Sequence, residues 1–108
     1  MKKIILIATK NKPEFAEMVA DKIQNAADKE NFSCEVSAIS IVNLNNLQKI
    51  DADLILFVPP RFRELERVKK YSPNAKIDMI GMKDYAFMNG ENILTQIKKI
   101  LEVDDFGN

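Results

Sequence analysis

Apolar residues along this chain follow two rhythms. Unbroken apolar runs alternate with stretches in which apolar residues recur every three or four positions, the pattern of a parallel sheet wrapped by helices. Lys3 to Ala8 holds Ile4, Ile5, Leu6 and Ile7 without interruption, which suits a central strand buried on both faces. A helix is expected from about Pro13 to Asp28, where Phe15, Met18, Val19, Ile23, Ala26 and Ala27 keep helical spacing. Pro13 fits its first turn, because a proline there lacks only an N–H that the helix would leave unpaired. Ser33 to Ile39 alternates Cys34, Val36 and Ala38 with Ser33, Glu35 and Ser37, as a half-exposed edge strand does. A short helix is expected over Leu44 to Ile50, capped by Asn43.

The second half repeats the scheme. "DLILFV", Asp53 to Val58, is another doubly buried strand, stopped by Pro59 and Pro60. Phe62, Leu65 and Val68 mark one face of a helix ending near Tyr71, and "KIDMI", Lys76 to Ile80, is the fourth strand. After a long connection, "NGENILTQIKKILEV" forms a terminal helix with Ile93, Leu94, Ile97, Ile100 and Leu101 on one stripe and Asn89 as its cap. Right-handed crossovers between these strands give an α/β fold, a three-layer αβα sandwich around a four-stranded parallel sheet of order 2-1-3-4. The chain reads as one domain over residues 1–103, followed by a frayed tail, 104–108.

Composition narrows the function classes. The chain has 108 residues, with 16 basic and 16 acidic side chains and a formal net charge of zero. That balance argues against nucleic-acid or membrane-surface binding, which calls for a basic excess. No apolar run reaches the roughly 18 residues of a membrane span, and "MKKIILIA" lacks a signal-peptide pattern, so a cytoplasmic protein without membrane insertion is expected. The single cysteine, Cys34, has no partner for an internal disulfide, and with no histidine present no metal site is expected and no cofactor is implied.

In a sheet of this kind ligands bind beyond the carboxyl ends of the strands. The connections that matter are Thr9 to Lys12, Ser40 to Asn43, Pro59 to Arg63, and Gly81 to Asn89. They bring together Lys10, Lys12, Arg61, Arg63 and Lys83, against Glu14 and Asp84. This set reads either as an anion-attracting rim or as the ordinary charge that loops carry. Met79, Met82 and Met88 read as packing residues.

Several of these segments resemble a known family. "KKIILI", the strand-proline junction "DLILFVPP", the Arg-Phe just beyond it, and above all "IDMIGMKDYAFMNGENIL" are similar to the IIB component of the lactose/cellobiose branch of the bacterial sugar phosphotransferase system. In the last stretch Asp84, Tyr85, Met88, Asn89, Gly90 and Glu91 carry the likeness. The resemblance implies a cysteine directly after the first strand, in a small glycine- and serine-containing loop. It further implies that this thiol takes a phosphoryl group from the histidine of a IIA partner and passes it to a sugar held by a membrane IIC partner. Such a thiolate needs backbone N–H groups and a helix N-terminus around it.

This sequence departs from that pattern at the decisive place. The cysteine position falls on Ala8, and the loop reads Thr9, Lys10, Asn11, Lys12, Pro13, Glu14, with no glycine and no serine. Pro13 removes a donor, and Glu14 puts a negative charge into the first turn, where a phosphate would sit. Val58, Pro59, Pro60, Arg61 and Phe62 likewise stand where the family shows a Gly-Pro-Gln-like turn before its Arg-aromatic pair. No substitute nucleophile is evident. Cys34 is expected inside an edge strand facing the core, and Thr9 has no neighbouring base. A receiver-type domain would need acidic residues after the first strand and an aspartate ending the third, where Thr9 and Val58 stand. A flavin-binding domain would need a Ser/Thr/Gly-rich phosphate loop, which "TKNKPE" is not. The expectation is a IIB-like component that docks on a IIA, a IIC or a regulator without carrying phosphate, the alternative being a phosphocarrier with an unrecognised site. The anion- or partner-binding residues are then Thr9, Lys10, Asn11, Lys12, Arg61, Arg63, Lys83, Asp84 and Tyr85, with none catalytic.

Overall fold

A computed structural model describes residues 1–8, 13–41, 51–59 and 65–106 of the chain. β1 (Lys2–Ala8) leads through α1 (Glu14–Lys29) to β2 (Cys34–Ser40), and β3 (Leu54–Phe57) leads through α2 (Leu65–Tyr71) to β4 (Lys76–Met79). α3 (Met82–Ala86) and α4 (Gly90–Phe106) follow. All pairings are parallel, and the strand order is β2-β1-β3-β4, as the sequence pattern predicts.

The unbroken apolar runs of β1 and β3 are explained by what lies on each side of the sheet. Successive strand residues point to opposite faces. Ile4, Leu6, Leu54, Leu56, Val58 and Ile80 join Val19, Ile23, Ile93, Leu94 and Ile97 in one core, under α1 and α4. Ile7, Ile55 and Phe57 join Val68 of α2 in a second core on the other face. A polar residue at any of these strand positions would be buried against one layer or the other. β2 has only one such obligation. It buries Cys34 and exposes Glu35 and Ser37, as an edge strand with alternating character should.

The layer over the first core depends on one close approach. Gly90, the first residue of α4, lies so near α1 that a Cβ there would stand 2.3 Å from the Lys22 carbonyl oxygen and 2.5 Å from its carbon. Only glycine fits such a contact. Asn89 caps the helix behind it, its Oδ1 accepting the Asn92 N–H at 3.1 Å, the cap that the sequence predicts.

Four expectations change. The connection from Gly81 to Asn89 is not all loop, because Met82–Ala86 forms α3, a helix too short to show a period in sequence. Pro13 sits at the N-cap of α1 rather than inside its first turn, with its carbonyl accepting the Glu17 N–H at 2.8 Å. α4 continues to Phe106, past Val103, since nothing before Gly107 breaks a helix. Phe15 and Met18, read with the apolar stripe of α1, are 42% and 52% exposed, and Met82 is 64% exposed rather than packed. The helix expected over Leu44 to Ile50, with its Asn43 cap, lies outside the described residues.

The Gly90 contact sets a test of this packing. Alanine is favoured over glycine in a helix by about 1 kcal/mol, whereas forcing a methyl against backbone costs about 1–3 kcal/mol or more. The second effect wins. Gly90→Ala is expected to lower stability in urea unfolding. Gly81→Ala is its control, because a Cβ there meets nothing closer than 3.6 Å and should stay within about 0.5 kcal/mol of the parent.

Candidate functional site at the carboxyl ends of the strands

The register places the strand ends side by side. Ala8 pairs with Ser40, the Val58 N–H donates to the Ile7 carbonyl at 3.2 Å, and the Ile80 N–H donates to the Phe57 carbonyl at 3.0 Å. Ala8 is 5% exposed and belongs to the first core. Its methyl has no lone pair, so Ala8 itself cannot act as a nucleophile. Of the predicted site residues, Thr9, Lys10, Asn11, Lys12, Arg61 and Arg63 lie outside the described residues. Lys83, Asp84 and Tyr85 are described, and all three fall on α3.

These three have different surroundings. Lys83 is exposed. Asp84 ties α3 to α4, with its carbonyl accepting the Asn89 N–H at 2.8 Å and its Oδ1 accepting from Asn92 Nδ2 at 3.1 Å. Tyr85 packs its ring edge-on against Phe15 of α1, with centroids 5.1 Å apart. Burial pushes the Tyr85 phenol above its ordinary range, so it stays protonated at neutral pH. Met88 turns the chain from α3 into α4 with φ 51°. That left-handed backbone costs a side-chain-bearing residue about 1–2 kcal/mol, and the packing of Met88 against the first core offsets it.

Cys34 is held far from this end. In the β1–β2 ladder Cys34 lies opposite Lys2, while Ser40 lies opposite Ala8. Six residues at about 3.3 Å each separate the sole thiol from the strand ends by about 20 Å. Burial, and after it the Asp28 carboxylate, pushes the Cys34 thiol up from its ordinary range. Both effects disfavour the thiolate.

The sequence reading missed the exposed apolar residues of the two helices that Phe15 and Tyr85 join. Phe15 and Met18 sit one turn apart on α1, and Met82 lies one turn before Tyr85 on α3. Phe87, 76% exposed, follows at the end of α3. A sharper angular reading would have found the first two. The buried stripe of α1 is Ala16, Val19, Ala20, Ile23, Ala26 and Ala27. At about 100° per residue, Phe15 lies about 80° and Met18 about 140° from the centre of that stripe. Met82 and Phe87 carried no comparable signal, because α3 is too short for a face to be assigned.

The position of Cys34 yields a chemical expectation. At about pH 8 iodoacetamide should modify the folded chain far more slowly than the urea-unfolded chain, which should take up one equivalent by mass spectrometry. The folded state holds this proton more tightly than the unfolded one. Its stabilisation is therefore complete below the ordinary cysteine range and fades as pH rises through the raised folded value. Rapid modification of the folded chain would place the thiol at the surface, against this structure.

Comparison with known proteins bears on what this architecture is. The profile of the PTS system, Lactose/Cellobiose specific IIB subunit family matches residues 16–96. That segment begins after β1 and the connection that follows it. No curated protein matches the chain. Among solved structures, the lactose-specific IIB component domain of the phosphoenolpyruvate:carbohydrate phosphotransferase system from Streptococcus pneumoniae is similar, with a TM-score of 0.70 at 12% identity. The similarity covers 91% of this chain and 95% of that one. A cellobiose-specific phosphotransferase IIB component protein from Borrelia burgdorferi gives a TM-score of 0.60 at 24% identity, covering 87% of this chain and 85% of that one. These two likenesses show the fold, and the profile shows the family. With its 2-1-3-4 parallel sheet and its α3–α4 junction, the chain belongs to the lactose/cellobiose-specific IIB family of the sugar phosphotransferase system.

Proposed function

We propose that this member of the family does not carry phosphate at the end of β1 and acts instead as a docking or regulatory module within the phosphotransferase system, engaging a IIA, a IIC or a regulator. The observation that carries this reading is Ala8, a buried methyl at the strand end where the family resemblance places the acceptor thiol. Phosphoryl transfer to protein requires a nucleophile in line with the phosphorus. The sole thiol, at the other end of β2, does not supply one.

The surroundings of Tyr85 support the docking half of the proposal. Phe15, Met18, Met82 and Phe87 leave large apolar surfaces uncovered. Exposed apolar side chains of this size that lie together mark interaction surfaces, and we assign these four to one such surface on α1 and α3. Phe15 is held by its ring contact with Tyr85, so it meets a partner with little ordering left to lose. Thr9, Lys10, Asn11, Lys12, Arg61 and Arg63, together with Lys83, Asp84 and Tyr85, are assigned to the same docking surface. Its basic members would meet acidic groups of a partner and mainly raise the association rate.

Two measurements test the two halves. Incubation with phosphoenolpyruvate, the general phosphotransferase proteins and a matching IIA should leave the mass of the chain unchanged. Stoichiometric phosphorylation would overturn the first half and support a carrier with another site. Titration with the same IIA should shift amide signals of Phe15, Met18 and Tyr85. Phe15→Glu should then weaken binding about tenfold or more, equivalent to about 1.4 kcal/mol, without altering the fold by circular dichroism. Shifts confined to β2 and the carboxyl-terminal half of α1 would reject this surface.

A further inference from the structure

The edge strands of an open sheet present rows of outward N–H and C=O groups, a template on which another strand can pair. In β2 the outward set is identifiable. The Lys2 N–H donates to the Ser33 carbonyl at 3.4 Å, so in the parallel ladder Ser33, Glu35 and Ser37 bond to β1. Cys34, Val36 and Ala38 therefore turn their backbone groups outward.

Gln24 of α1 occupies the first of these outward places. Its Nε2 donates to the Cys34 carbonyl at 3.1 Å, and its Oε1 accepts the Val36 N–H at 2.9 Å. A residue of a neighbouring parallel strand makes the same pair of bonds, giving its N–H to one carbonyl and taking the N–H two residues further on. The side-chain carboxamide thus stands in for one residue of a strand. Asp28 Oδ1 accepts from the same Nε2 at 3.1 Å. A carboxylate only accepts and a backbone N–H only donates, so the two together fix which way the carboxamide points.

Beyond Val36 the edge borders a groove of about 410 Å³ lined by Glu17, Ala20, Asp21, Val36, Ser37 and Ala38. Its two carboxylates would face the same pair on any second copy that approached. The opposite edge is treated alike. On β4 the Met79 carbonyl accepts from Gln96 Nε2 at 2.9 Å, and the Met79 N–H donates to Asp78 Oδ1 at 2.8 Å. Each edge strand is thus met by a glutamine from a helix that covers the sheet.

We infer that Gln24 is a strand-mimicking seal that keeps the β2 edge from pairing with β2 of a second copy of this chain, with Glu17 and Asp21 guarding the stretch beyond it. This goes beyond the docking proposal and does not depend on it. Gln24→Leu keeps the bulk of the side chain and removes both hydrogen bonds. In sedimentation it should form, with rising concentration, species heavier than those of the unaltered chain. In dilute solution its Val36 amide should exchange about tenfold faster. Adding Ala38→Pro, which deletes an outward N–H without touching the β1 ladder, should abolish the extra species. Gln24→Ala provides the same test without an added apolar side chain or charge, and it too should form the heavier species. The inference is overturned if both Gln24 variants sediment like the unaltered chain, or if Gln24→Leu associates equally well with Ala38→Pro present.

Discussion

The contact between Gly90 and the Lys22 carbonyl fixes the arrangement of everything above the first core. A helix start pressed onto another helix's backbone leaves no room for adjustment, since the missing Cβ is the whole of the clearance. Once α4 begins there, the chain arriving from α3 must turn sharply, and Met88 takes the left-handed conformation to do so. Asp84 then binds Asn89 and Asn92 across the turn, and α3 is held against α4. Tyr85 consequently meets Phe15 at the start of α1. A packing constraint between two helices thereby determines which side chain of α1 meets Tyr85.

The same chain of causes explains why the fold was readable from sequence and much of the site was not. Strands buried on both faces must be apolar throughout, and β1 and β3 announce themselves by that alone. Alternation in β2 reports one buried face, and the strand order follows from which strands are doubly buried. These are period-two and period-3.6 signals, imposed by layers. The surface around Tyr85 obeys no period. Phe15 and Met18 are apolar residues beside an apolar stripe, and only their angle to it separates surface from core. Asp84 looked like a loop charge and is a structural tie, because its partners lie in an element that the sequence did not show.

The stability of the molecule and its chemistry reside in different places. Both cores are assembled from strand interiors and helix faces, and none of the buried positions requires a thiol at the end of β1. Ala8 itself packs into the first core as a small apolar residue. Replacing a nucleophile there leaves the layers, the Gly90 contact and the α3–α4 turn unaffected. The family fold is therefore compatible with an alanine at the end of β1, since its packing makes no demand for a reactive side chain there.

How those surfaces can be used follows from hydrogen bonding. Backbone groups on both edge strands are engaged by Gln24, Gln96 and Asp78, so strand addition, which draws its affinity from main-chain bonds, meets occupied donors and acceptors at those places. Uncovered side chains carry the opposite character. Phe15, Met18, Met82 and Phe87 offer apolar area with no hydrogen-bonding demand to satisfy. A protein that binds here is rewarded for covering side chains and gains little from extending the sheet. A partner that covered these helix-borne side chains would therefore gain apolar contact without competing for the backbone groups that Gln24, Gln96 and Asp78 already engage.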